Sequence, residues 1–190
     1  MEPRRKVLAV IGDGGVISDA RARVAFEVGQ RAIEAGFRLV TGGLGGTMAA
    51  ASEGARRATA YTEGSVIGVL PSYDRATANL WVDVVIPSGL QIARNVLVVA
   101  MADVVVAIGG GSGTLSEMAV AWQLGRPLVA LVGLDGWSGE LAGRALDHRS
   151  HEPIIRAESA EQAIASALDA VSIDRAEAGD IGSGWKKDLR

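Results

Sequence analysis

The residues best equipped for chemistry stand in three glycine-rich segments. Gly109-Gly110-Gly111-Ser112-Gly113 runs into Thr114-Leu115-Ser116-Glu117, Gly42 to Gly46 runs into Thr47-Met48, and Gly12-Asp13-Gly14-Gly15 follows an apolar run. Glycine lets the backbone approach a guest closely, and the free N–H groups at the start of a helix attract anions. A phosphate or carboxylate is therefore the expected guest, with Gly14, Gly43, Gly45, Gly46, Gly110, Gly111, Ser112, Gly113 and Thr114 as candidate contacts. The familiar phosphate motifs do not fit. A P-loop needs a lysine after its last glycine, a dinucleotide fingerprint counted from Gly109 needs its third glycine, and a G-x-S-x-G elbow needs its closing glycine. Thr114 stands at each of those places.

Several side chains near these segments carry two readings each. Thr114-Leu115-Ser116-Glu117 has the S/T-x-x-E form of a capping box, in which the glutamate serves only backbone N–H groups. Arg94, ahead of the apolar run Val96-Leu97-Val98-Val99, reads by itself as a surface arginine paired with a carboxylate. Asn95 either hydrogen-bonds a ligand or has no special task. Asp13 meets a ribose hydroxyl or, more simply, makes an Asx-turn. His148 and His151, three apart in a polar stretch, read as a solvated turn rather than as metal ligands.

The elements that must hold these residues alternate between strand and helix. Apolar strands are expected at Lys6–Gly12, Phe37–Thr41, Ser65–Leu70, Trp81–Ile86, Val104–Ile108 and Pro127–Val132, with a short edge strand at Ile154-Ile155. Helices are expected at Ala22–Ala35, Thr47–Ala58, Gln91–Met101, Thr114–Leu124, Leu141–Leu146 and Ala160–Ala170. Apolar strands alternating with helices imply a Rossmann-like, doubly wound, mainly parallel sheet of about six or seven strands, covered on both faces. Ligands of such sheets sit outside the carboxyl ends of the strands, where all three glycine segments fall. One domain is expected over residues 1–171, followed by a polar, mobile tail over 172–190.

Composition narrows the function classes. Hydrophobic residues make up 48% of the 190 and charged residues 22%, which is a globular balance. The net charge of -3 with scattered basic residues gives no footprint for nucleic acid or a membrane surface. There is no cysteine, so disulfides, thiolate metal sites and thiol nucleophiles are out together. No apolar run approaches the ~20 residues that span a bilayer, and no targeting segment is visible, so a cytoplasmic location is expected. The helix over 91–101 carries an all-round apolar stretch from Val96 to Met101, which implies a second subunit against its outer face, with Met118 and Trp122 extending the patch.

The segment Gly109 to Glu117 resembles the P-G-G-x-G-T-x-x-E motif of the Lonely Guy family, also labelled lysine decarboxylase-like. Gln91-Ile92-Ala93-Arg94-Asn95 sits where that family has M-H-x-R-K, and Gly42 to Met48 is similar to its G-G-G-x-x-G-L-M loop. The likeness extends roughly from Val7 to Ala170. Gly109 in place of the leading proline, and Asn95 in place of the lysine, resemble a neighbouring branch that includes the molybdenum-cofactor carrier proteins. The resemblance implies catalytic roles for Arg94 and Glu117 and cleavage of the N-glycosidic bond of a nucleoside 5'-monophosphate. The alternative it implies is a carrier that binds a phosphorylated pterin or nucleotide without turnover. The decarboxylase label does not suit the chain. Pyridoxal chemistry needs a Schiff-base lysine in a pocket. The three lysines are Lys6, ahead of the first strand, and Lys186 and Lys187 in the tail. No cofactor is expected to be required, no metal site is expected, and the partner is a phosphorylated, nucleotide-like small molecule held by a homo-oligomer, most simply a dimer.

Overall fold

The computed structural model describes residues 4–148 and 152–172. Seven strands form one sheet: β1 (Val7–Gly12), β2 (Arg38–Thr41), β3 (Val66–Leu70), β4 (Val84–Pro87), β5 (Val104–Ile108), β6 (Leu128–Leu131) and β7 (Ile155–Ala157). Their spatial order is β4-β3-β2-β1-β5-β6-β7, and each adjacent pair is parallel. The central strands read as unbroken apolar runs because both faces are covered. All five residues of β5 are buried. The helices are α1 (Asp19–Glu34), α2 (Gly46–Arg56), α3 (Arg94–Met101), α4 (Ser112–Gln123), α5 (Trp137–Leu141) and α6 (Ala160–Ser172).

Two hydrophobic layers sandwich the sheet. On one side Val28, Ile33, Ala51, Ala55 and Ala163 of α1, α2 and α6 meet Leu8, Val10, Val104 and Val106. On the other, Val98 and Val99 of α3 and Met118, Ala121 and Trp122 of α4 meet Ala9, Ile11, Val105 and Ala107. Alternate residues of β1 and β5 thus point to opposite layers, as the strand period of two requires. The chain leaves β1 toward β2 and leaves β5 toward β6, in opposite directions along the sheet. The reversal opens a crevice between the carboxyl ends of β1 and β5.

Local chemistry moves several boundaries from their sequence-based positions. Helix α1 begins three residues before Ala22 because Ser18 accepts a hydrogen bond from the Arg21 amide at 3.3 Å and caps the end. Strand β4 starts later than Trp81, since Asn79 ties the amides of Trp81 and Val82 into a turn. The expected helix over 91–101 opens with a single 3-10 turn, Gln91–Ala93, and becomes α-helical only at Arg94. The helix expected at Leu141–Leu146 lies earlier, at Trp137–Leu141. Its start is set by Trp137 and Ser138 donating their amides to the carbonyls of Gly110 and Gly109, each at 3.0 Å, and Gly143, with φ +78°, follows its end. Of the tail expected over 172–190, Ser172 closes α6 and the rest lies outside the described residues.

Candidate functional site

The three glycine segments converge on the crevice. It has a volume of about 330 Å³, the size of a small-molecule site, and is lined by the loops after β1, β2 and β5 together with the starts of α3 and α4. Of the residues singled out in the sequence, Gly14, Arg94, Asn95, Gly111, Ser112, Gly113, Thr114 and Glu117 line it. Leu44 and Met48 supply an apolar wall that the sequence did not single out. Gly43, Gly45, Gly46 and Gly110 stand behind the lining. The Gly43 carbonyl accepts from the Asn79 backbone at 2.9 Å, Gly45 and Gly46 begin α2, and the Gly110 carbonyl is held by Trp137.

Helix α4 starts directly at the crevice. Its N-cap is Gly111, which has no side chain to satisfy the first-turn amides. The partial positive charge of a helix start is therefore open to the crevice at Ser112, Gly113 and Thr114. This start corrects the capping-box reading. Thr114 lies inside the helix rather than at its cap, and Glu117 sits more than a turn in, buried, with its carboxyl turned to Arg94. In the first turn of α2 the Thr47 amide is already taken, donating to the Asp13 carbonyl at 2.8 Å.

Arg94 and Glu117 form the floor. Their charged atoms are 3.6 Å apart, an ion-pair contact, and Nη1 of Arg94 is buried with no hydrogen-bond partner among the described residues. Removal from water pushes the Glu117 carboxyl up to about 7, and the neighbouring guanidinium only partly opposes that. The same desolvation lowers the Arg94 value, with Glu117 acting in the other direction. Gly42 makes the arrangement possible, because a Cβ at that position would collide with the Arg94 guanidinium. Arg94 is thus a largely buried arginine at the crevice, its side chain 11% exposed, not the surface residue its neighbours in sequence suggested. Asn95 is also buried. It donates from Nδ2 to Ser116 Oγ at 2.8 Å and to the Gly113 carbonyl at 3.3 Å, which braces the first turn of α4 against α3.

Asp13 makes no local Asx-turn. Its carboxylate bridges two loops, accepting from the Gly111 amide at 2.9 Å through Oδ1 and pairing with Arg21 through Oδ2. Arg21, which the sequence analysis passed over, also donates to the Asp135 carbonyl after β6 and lies against Gly109. One guanidinium on α1 therefore ties together the loops after β1, β5 and β6. Lys6 precedes β1 at the opposite edge of the sheet, 3.9 Å from Asp103, while Lys186 and Lys187 lie outside the described residues. His148 is exposed, and His151 lies outside the described residues. Among the described residues, no group of three His, Cys, Asp or Glu is placed to hold a metal ion. No helix among them is long and apolar enough to cross a membrane.

The fold and crevice define a Rossmann-like α/β protein with a small-molecule-sized cleft at its topological switch point. The chain belongs to the SLOG cluster4 family, whose pattern matches residues 5–164. It is similar to the molybdenum cofactor binding protein from the phototrophic bacterium Rippkaea orientalis, at 32% identity and a TM-score of 0.77, over 90% of this chain and 99% of that one. It is also similar to the molybdenum cofactor carrier protein of Chlamydomonas reinhardtii, at 29% identity and a TM-score of 0.75, over 88% and 99% of the two chains. An uncharacterised protein of Archaeoglobus fulgidus is 36% identical over 124 residues, covering 65% of this chain and 78% of that protein.

Proposed function

We propose that the protein binds a small organic phosphate, of pterin or nucleotide type, with the phosphate on the first turn of α4. The observation that carries this reading is the uncapped start of α4 opening into the same crevice as Arg94, whose Nη1 is buried and has no hydrogen-bond partner among the described residues. Leu44 and Met48 offer an apolar surface for the flat ring of such a ligand. The names borne by the Rippkaea and Chlamydomonas proteins support a carrier or binding role for a molybdopterin-type phosphate. Neither a metal nor a pyridoxal group of the protein's own is called for.

A second reading is favoured by one specific feature. Glu117, held near neutrality beside Arg94, has the proton affinity of a general acid or base at physiological pH. In that reading the protein hydrolyses a nucleoside 5'-monophosphate: water adds at the anomeric carbon, the N-glycosidic bond breaks, and free base and ribose 5-phosphate leave. Glu117 activates the water or assists the oxocarbenium-like transition state, and Arg94 orients the sugar phosphate.

One experiment serves both readings. Guanosine 5'-monophosphate should raise the melting temperature while guanosine does not, with a stabilisation of about 2.7 kcal/mol at a hundredfold excess over the dissociation constant. Equal shifts from the two would defeat the phosphate reading. Release of guanine during the incubation would select hydrolysis, and intact nucleotide would select the carrier. We also place a second copy of the chain on the outer face of α3 and the 3-10 turn before it, where Ile92, Val96 and Leu97 are 72%, 43% and 37% exposed. Met118 and Trp122 do not extend that patch as expected, being buried in the subunit's own core.

A further inference from the structure

The crevice is poor in positive charge. Among the described residues that line it, Arg94 is the single cation, set against the acidic side chains of Asp13 and Glu117. Glycine-rich switch-point loops that hold diphosphates present a run of free amides along the loop as well as at the helix start. Here that run is interrupted. The Gly111 amide, next in line after the open amides of α4, is consumed by Asp13 Oδ1 at 2.9 Å. The Gly109 amide is taken by Ser138 Oγ at 2.7 Å. Across the crevice the Thr47 amide, in the first turn of α2, is taken by the Asp13 carbonyl. Asp13 therefore removes donors from both walls and adds a partly exposed carboxylate between them.

Resting on the phosphate reading above, we propose that Asp13 is a specificity-determining residue that limits this crevice to ligands carrying a single phosphate. A first phosphate has the α4 start and Arg94. A second phosphate, as in a nucleoside diphosphate or a dinucleotide, would meet the Asp13 carboxylate in place of a free amide, and Arg21, the cation behind it, is already engaged by Asp13 and the Asp135 carbonyl. Arg21 is the positioning residue for this device. It grips the carboxylate from behind, is itself largely buried against Gly109, and so fixes which way Asp13 faces. Glu117 and Arg94 are the other charged groups at the crevice, and both lie on its floor.

The test compares phosphate with pyrophosphate, and guanosine 5'-monophosphate with the 5'-diphosphate, by calorimetry on the full chain. Native protein should prefer the single phosphate by at least about tenfold in each pair. That preference should shrink as salt is raised from 0.05 to about 0.5 M, because a partly exposed charge is screened. In Asp13→Asn, which keeps an oxygen for the Gly111 amide but loses the charge, the preference should fall to within about threefold, mostly through tighter diphosphate binding. Asp13→Ser, a second variant lacking the charge, should behave alike, with far-UV circular dichroism and melting confirming its fold. Equal binding of both members of each pair by native protein overturns the inference and leaves the phosphate site standing. An unchanged preference in both folded variants also overturns it. Failure of native protein to bind phosphate or the monophosphate at all overturns the phosphate reading itself, and this inference with it.

Discussion

Replacing Glu117 with glutamine isolates the electrostatic state of the crevice floor. The side chain is buried and its carboxyl is pushed from an ordinary 4.5 to about 7, with desolvation as the largest cause. Between those values the folded protein holds a proton that the unfolded chain has released. Stability then falls as pH rises, since the native state binds more protons than the unfolded state. The favourable contribution of the neutral acid is complete below about 4.5 and is lost as pH passes through 7. The whole difference is on the order of 3 kcal/mol, taking about 1.4 kcal/mol for each tenfold change in proton affinity. Glutamine has the shape of the protonated acid and does not titrate, so Glu117→Gln removes this dependence. The variant should melt close to native protein at pH 4.5 and higher than native protein at pH 8. With about 2–4 °C per kcal/mol for a chain of this size, the gain at pH 8 is on the order of 6–12 °C. The attraction of Arg94 acts only on the ionised carboxylate and is already contained in the value of about 7, so the quantity to measure is the change in the gap between the two proteins from one pH to the other. Calorimetry at several pH values, with ligand absent, supplies it. A constant gap across the range would refute the argument, because Glu117 would then be ionising as an exposed carboxylate does. Under the hydrolytic reading the same variant also loses turnover by a factor on the order of 10² or more while retaining nucleotide binding.

Two further outcomes follow from the packing. Gly42→Ala should abolish the melting shift caused by guanosine 5'-monophosphate while leaving the far-UV circular dichroism spectrum native, because the new methyl displaces the Arg94 guanidinium and little else; an unaltered shift would separate Arg94 from ligand binding. On α3, Leu97→Glu should reduce the particle mass seen by light scattering with the fold retained, whereas Val98→Glu should unfold the chain, since Val98 is fully buried in the subunit's own core and a carboxylate there has no partner. A native protein that is already a monomer would remove the second copy from α3.

The alternation of elements was legible in the sequence because it rests on local rules. Apolar runs such as Val104–Ile108 suit strands buried on both faces, and glycines such as Gly36 and Gly125, with φ of +87° and +64°, end helices by a conformation other residues resist. The parallel order then brings the three glycine segments to one end of the strands, so the place of the crevice also followed from pattern. The chemistry of individual side chains did not. The S/T-x-x-E spacing at Thr114–Glu117 describes a cap only if the helix begins at Thr114. It begins at Ser112, and the glutamate is left to find a partner on another helix. Arg94 reads as a surface residue until the missing side chain of Gly42 makes room for it. Asp13 looks like a turn residue, and Arg21 carries no signal at all. Their joint hold on Gly111 and Asp135 exists only because three stretches distant in the chain return to one place. Periodicity and turn chemistry act between neighbours in sequence, whereas a buried charge takes its proton affinity and its partner from whatever the folded chain packs around it.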